Sequence, residues 1–314
     1  MNVPAAVRRF RAAFEARWDE LPATIRGTVW VTLAALSFTC MAAVIKTLGA
    51  RLDSFEIAFF RCLFALAVTL PFALREGPSA FRTNVLGLQM GRALVGIAAM
   101  FCGYYGITKL ELADATTIGF TRALFMIPLA VLFLGEKIRA ARWIATIVGF
   151  AGVVVMMRPG GGGPIFAMFA ALAGAFFTAG SIVFVKKLAE RENPVTILLY
   201  FNFTTTLISL PTIFPVWVTP VLHELVLLAL VASLAGLGQF CTIRGYGIDE
   251  ASALVPFGYG RLVFALALGF IFWGEVPDVW SLGGAAIIIA STLFIGLREA
   301  RGKTPPEPAS TPGG

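Results

Sequence analysis

TVWVTLAALSFTCMAAVIKTL, residues 28–48, runs for twenty-one residues with a single charge, Lys46, close to its end. About twenty mostly apolar residues are what an α-helix needs to cross a hydrocarbon layer of roughly 30 Å. A cleavable leader has a shorter apolar core followed by polar sequence, whereas this run leads into more of its kind, so it reads as the first of several membrane spans. Further runs follow at Ser54–Ala73, Val85–Ile107, Leu112–Leu134 and Trp143–Met157, then at Ile165–Val185, Val195–Phe214, Glu224–Ile243, Ser252–Trp273 and Val279–Leu297. Ten spans joined by short connections predict an all-α membrane protein with antiparallel neighbours.

Bulk composition agrees. The chain is 58% hydrophobic and 14% charged, with a mean hydropathy of +0.84. A soluble domain carries roughly 25% charged residues because its surface faces water, and no single core of this size hides so much apolar surface. Cys40, Cys62, Cys102 and Cys241 stand alone in apolar runs, and His223 is the sole histidine. That pattern offers neither a disulfide framework nor a metal site, and no cofactor motif is present. The net charge of +7 raises nucleic acid as a partner, but the placement of the basic residues answers it.

With the N-terminus in the cytoplasm, seventeen Lys and Arg fall in cytoplasmic segments: Arg8, Arg9, Arg11, Arg17 and Arg26; Arg75 and Arg82; Lys137, Arg139 and Arg142; Lys186, Lys187 and Arg191; Arg244; Arg298, Arg301 and Lys303. Only Arg51, Lys109 and Arg158 fall on the other side. This is the positive-inside pattern of a multi-pass protein of the bacterial inner membrane with both termini cytoplasmic. Trp30, Trp143, Trp217, Trp273 and Trp280 lie at span ends, as an interfacial aromatic belt requires. The bilayer is thus one partner, and nucleic acid is not.

Residues 1–26 read as a basic cytoplasmic tail or interfacial helix, and 299–314 as a disordered, Pro-rich cytoplasmic tail. The RPGGGGP run, Arg158–Pro164, divides the rest. It lacks the GK[ST] and preceding strand of a phosphate loop, so 159–164 is a connector between units at 27–158 and 165–298. The units resemble each other. A shift of 140 places Lys46-Thr47-Leu48 on Lys186-Lys187-Leu188 and Thr69-Leu70-Pro71 on Ser209-Leu210-Pro211; a shift of 139 places Leu134-Gly135-Glu136 on Trp273-Gly274-Glu275. Five spans per unit force the second copy to enter from the opposite side. The result is an inverted-topology repeat, an architecture of secondary transporters.

The order of these motifs is similar to that of a known family. Phe55-Glu-Ile-Ala-Phe-Phe-Arg61, Ala113-Asp-Ala-Thr-Thr117 and Leu134-Gly-Glu136 in the first unit, with Ala251-Ser-Ala-Leu-Val-Pro256-Phe-Gly-Tyr259 and Phe272-Trp-Gly-Glu275-Val-Pro277-Asp278 in the second, resemble the EamA-like branch of the drug/metabolite transporter superfamily. The likeness spans Arg26 to Arg298. It implies two inverted five-helix repeats around a central cavity, and a substrate among amino acids, riboflavin, S-adenosylmethionine, metallophores and other metabolites. One departure is local: the family usually has a proline where this chain reads Thr121-Arg122-Ala123-Leu124, and Pro128 comes later.

Charges within spans cost roughly 2.5–3.5 kcal/mol each on insertion scales, so each needs a reason. Arg61, Arg92, Arg122 and Arg261 lie deep, with Lys46 nearer a span end, while Glu56, Asp114, Glu250 and Asp278 cluster at span ends. A positive interior suits an anionic group on the substrate. The candidate substrate-binding residues are Arg122, Arg261, Arg92, Thr117, Thr121, Tyr104 and Tyr259. Against them stand snorkelling of the arginines, back-bonding of the threonines to their own helix, and interfacial anchoring of Tyr104. Glu136 and Glu275 are expected to orient loops or cap the next helix, and Gly91, Gly96, Gly103, Gly149, Gly152, Gly283 and Gly284 to allow close packing.

The function expected is alternating-access transport of a small, carboxylate-bearing solute such as an amino acid or derivative. A planar heteroaromatic of the riboflavin or S-adenosylmethionine type is the alternative. A membrane-embedded enzyme is the reading from another class, and it lacks a nucleophile, base or metal constellation.

Overall fold

The computed structural model describes residues 21–135, 140–157, 164–248 and 257–301. Eleven α-helices carry the architecture among them: α1 (Ala23–Leu48), α2 (Ser54–Glu76), α3 (Leu86–Lys109), α4 (Leu112–Phe120), α5 (Arg122–Leu134), α6 (Ala140–Met157), α7 (Ile165–Ala189), α8 (Pro194–Ile213), α9 (Leu222–Ile248), α10 (Gly260–Trp273) and α11 (Val279–Arg301). Nine segments of the described residues are long and apolar enough to span a bilayer, α4 and α5 counting as one, and α10 is a shorter apolar helix. Leu132, Phe166, Phe214 and Val279 are among many large apolar side chains on the outside. Such a surface would aggregate in water, and lipid is its solvent.

Duplication is visible in the element ends. Asp53 caps α2 by accepting from Phe55 N, and Asn193, 140 residues later, caps α8 by accepting from Val195 N. Pro71 and Pro211 lie inside the same two helices, at matching positions. Gly135 and Gly274 end α5 and α10 in the left-handed region, at φ of 67° and 66°, where a side chain would be strained.

The repeats do not stand side by side. The most extensive helix pairings are α1 with α9, α3 with α7, α6 with α11 and α2 with α8, and each joins one repeat to the other. Exchanging the repeats turns α1–α9 into α7–α3 and leaves the other two pairings unchanged, so the packing itself has the pseudo-two-fold. Gly152 of α6 faces Ile287 and the Gly284 carbonyl of α11, and Gly174 of α7 faces the Gly103 backbone of α3. Helices meet this closely in lipid because dispersion replaces the hydrophobic effect as the cohesive force.

One end of the molecule, called here the far face, gathers the end of α1, the α3–α4 link, the α8–α9 link and the α10–α11 link. Lys46 bonds Leu110 and Glu275 there, and Arg51 bonds Thr219 and Glu224. At the opposite, near face, Asn193 donates to Glu76, Thr83 to Glu192 and Tyr200 to the Phe81 carbonyl. Residues 159–163 of the connector, and Glu136, lie outside the described residues.

Candidate substrate site

The fourth span breaks in its middle. Thr121 N bonds Ile118 O at 3.0 Å, a tightened turn that ends α4, and α5 starts at Arg122. Pro128 inside α5 removes a further backbone donor. The break itself is this turn at Thr121, and Pro128 lies seven residues beyond it within a continuous α5.

On the other side of the pseudo-two-fold, α10 begins at Gly260 with Arg261 second. Arg122 and Arg261 are separated by 139 residues, the same offset that relates Gly135 to Gly274, so they are symmetry mates. The fold brings them within electrostatic reach of each other. Arg122 is exposed and Arg261 partly buried. The Arg261 guanidinium lies 5.6 Å from the Phe38 ring, its Nε has no hydrogen-bond partner, and its carbonyl accepts from Thr39 Oγ1 at 3.3 Å.

Tyr259 precedes this arginine. Its hydroxyl donates to Thr292 Oγ1 of α11 at 2.7 Å, and its ring packs 4.9 Å from Phe120. Phe38 of α1 therefore lies against Arg261, and Phe120 of α4 lies against Tyr259 at the start of α10.

The other expected site residues lie elsewhere. Thr117 donates to the Ala113 carbonyl at 2.9 Å and Thr121 to that of Ile118 at 2.6 Å; both are buried, and their hydroxyl protons serve their own helix. Arg92 donates to the Ile197 carbonyl of α8 at 2.8 Å and stacks 4.3 Å from Phe201, so its charge is committed to joining α3 to α8. Tyr104 is buried in an apolar cluster of α1, α2, α3 and α9, beside Arg61, whose guanidinium meets Met100 Sδ. The set divides into Arg122, Arg261 and Tyr259 around one centre, and Tyr104 with Arg61 at another. Phe38, Thr39, Phe120 and Thr292 join the first centre, and nothing in their local sequence marks them.

Above the site, at the far face, a cavity of about 380 Å³ is lined by Lys109, Glu111, Asp114, Asp278 and Ser281 among others. Ser281 Oγ donates to Asp114 Oδ2 at 3.2 Å. Burial pushes the Glu111 carboxyl above its ordinary range, Glu275 and Asp278 add to the rise, and Lys46 opposes it. Glu275 was expected to orient its loop or cap the next helix; at the start of α11 it is Asp278 that accepts from Ser281 N. Glu275 Oε2 accepts from Leu112 N at 2.8 Å, at the start of α4 in the opposite repeat.

A duplicated, interleaved helical membrane protein with cationic side chains at a helix break in each repeat belongs to the class of inverted-repeat carriers. The chain matches the EamA-like transporter family model twice, over residues 25–158 and 165–297, and it belongs to that family. It is 35% identical over 279 residues to an S-adenosylmethionine uptake transporter of Rickettsia conorii, covering 88% of this chain and 94% of the relative. It is 29% identical over 274 residues to the pseudopaline exporter CntI of Pseudomonas aeruginosa (86% and 95% covered). A riboflavin transporter of Rhizobium johnstonii is 29% identical over 286 residues (89% and 94% covered). One crystal structure superposes with a TM-score of 0.59 at 19% identity, covering 89% of this chain and 98% of the other, which supports the fold alone.

Proposed function

We propose that this chain carries S-adenosylmethionine, or a close adenosyl amino acid, across a bacterial inner membrane by alternating access. What supports the reading is the equivalent placement of Arg122 and Arg261 in the two repeats, each in the first turn of a helix that starts in mid-span, with Arg261 beside the Phe38 ring. S-adenosylmethionine has a carboxylate for that pair and a planar adenine for the rings of Phe38, Phe120 and Tyr259. Its sulfonium and ammonium are positive, and the far-face cavity carrying Glu111, Asp114 and Asp278 favours cations near the mouth. The relatives support this substrate over a plain amino acid, and the family supports transport over catalysis. Positive-inside sorting places both termini in the cytoplasm and the far face outside. The working unit is the pair of repeats at 27–158 and 165–298, with tails at 1–26 and 299–314.

The test is uptake by proteoliposomes containing the full chain. Labelled S-adenosylmethionine should accumulate, and S-adenosylhomocysteine should compete. Decarboxylated S-adenosylmethionine, which keeps the sulfonium and the base, should compete about ten-fold more weakly, because ~1.4 kcal/mol of carboxylate contact corresponds to that factor. Arg122→Gln and Arg261→Gln should each reduce uptake by about ten-fold or more while inserting normally. Movement of riboflavin or free amino acids, with S-adenosylmethionine neither moving nor competing, overturns the substrate. Equal competition by the decarboxylated analogue overturns the role given to the arginines.

A further inference from the structure

Where α1, α4 and α10 converge at the far face, four backbone and side-chain groups interlock. Lys46, in the last turn of α1, bonds both the Leu110 carbonyl and Glu275 Oε1. The second oxygen of Glu275 accepts from Leu112 N, the first residue of α4. One carboxylate thus neutralises a lysine and caps the positive end of a helix. The two side chains are only 12% and 14% exposed, and Trp273 covers the ammonium at 5.4 Å from its ring centroid. Lys46 and Leu112 belong to the first repeat and Glu275 to the second, so the knot ties one repeat to the other.

Immediately inward lies a seam of small side chains. Ala42 and Ala43 of α1, Leu112 of α4 and Ala265 of α10 form one buried cluster, with Ile107, Leu268 and Trp273 around it. Ala42 sits one helical turn inside Lys46 and is 1% exposed. The three alanines let the backbones of α1 and α10 approach closely beside Leu112, so the seal here depends on the helices staying in contact. The same two rods lead to the centre of the molecule: α4 runs from Leu112 to the break before Arg122, and α10 from Arg261 to the turn before Glu275. A second tie on this face, Arg51 with Glu224, joins the α1–α2 link to α9.

We propose that Lys46 and Glu275 form the latch of the outer gate, holding the alanine seam of α1, α4 and α10 shut on the far face. The proposal rests on the alternating-access reading and on the outward placement of this face, and not on the identity of the substrate. A latch must release within the transport cycle. An ion pair does so at low cost because water solvates both partners as the helices separate, whereas a purely apolar contact of equal area would expose its whole surface.

The test uses the full chain with Cys40, Cys62, Cys102 and Cys241 replaced by alanine and a single reporter, Ala42→Cys, in intact cells. A membrane-impermeant methanethiosulfonate is added from outside, and the rate of modification is read. Modification should be slow with Lys46 and Glu275 present, and about ten-fold faster after Glu275→Gln or Lys46→Met. A second reporter, Ala179→Cys, is buried on α7 away from the seam and should stay slow throughout. Unchanged Ala42→Cys rates in both variants overturn the latch. So does equal acceleration at Ala179→Cys, which would show general loosening. Because no substrate is added, failure of the S-adenosylmethionine reading leaves this outcome untouched. Failure of the alternating-access reading is separately visible as absence of transport by the unsubstituted chain for every solute offered.

Discussion

Glu111 shows how one carboxylate reports on its neighbourhood. Its Oε2 is buried without a hydrogen-bond partner, and burial together with Glu275 and Asp278 holds its pKa above the ordinary value. The folded protein therefore binds this proton more tightly than the unfolded chain does. Its contribution to stability is full below the ordinary carboxylate range and is lost as pH rises through the raised value. Glu111→Gln should be more thermostable in detergent than the parent at about pH 8, and the difference should shrink as pH falls into the ordinary carboxylate range. Thermal unfolding across a pH series checks this. Arg122 and Arg261 represent the opposite case. Their charges were legible as expensive inside spans, and the offset that makes them mates was present in the Gly-Glu motifs. Which deep arginines are taken by neighbouring helices was not legible. Arg92 looks equally suspicious in sequence, yet the Ile197 carbonyl and Phe201 take it, and both lie more than a hundred residues away.

At the scale of elements, glycine separates close contacts from open ones. A Cβ on Gly284 would stand 2.5 Å from Met156 Cβ and 2.6 Å from the Gly152 carbonyl, whereas one on Gly103 would meet nothing within 4 Å. Gly284→Val should cost about 1–3 kcal/mol through overpacking of α6 against α11, and Gly103→Ala should be neutral or slightly stabilising, given the helix preference of alanine. Melting temperatures of the two purified variants distinguish them. All seven glycines were expected to permit close packing, and the expectation holds for Gly91, Gly96, Gly149, Gly152 and Gly284; nothing approaches the Cβ positions of Gly103 and Gly283. At Gly103 it is the backbone that is approached, by Gly174. Composition shows that a stripe is small. It does not show which partner lies against it.

For the whole molecule, the interleaving of the repeats has a consequence of its own. Since α1–α9, α3–α7, α6–α11 and α2–α8 all cross between repeats, neither repeat owns a complete interior. Residues 1–158 and 159–314 expressed as separate chains should each be degraded or aggregate alone. Together they should co-purify as one monodisperse complex, because the main packing needs no covalent link. Size-exclusion profiles of the single and paired expressions test this, and two independently stable halves would contradict it.

Membrane spans, their number, the duplication and the inverted sense of the second copy all follow from the chain itself, because lipid makes hydrophobic length and charge placement dominant and both are local properties. The partner of each polar group inside the bilayer depends instead on which helices the pseudo-two-fold brings together. The cap that Glu275 places on α4, the bond from Thr39 to the Arg261 carbonyl and the commitment of Arg92 are contacts between residues 100 or more positions apart. No local pattern encodes such contacts, and the packing of the two repeats against each other decided them.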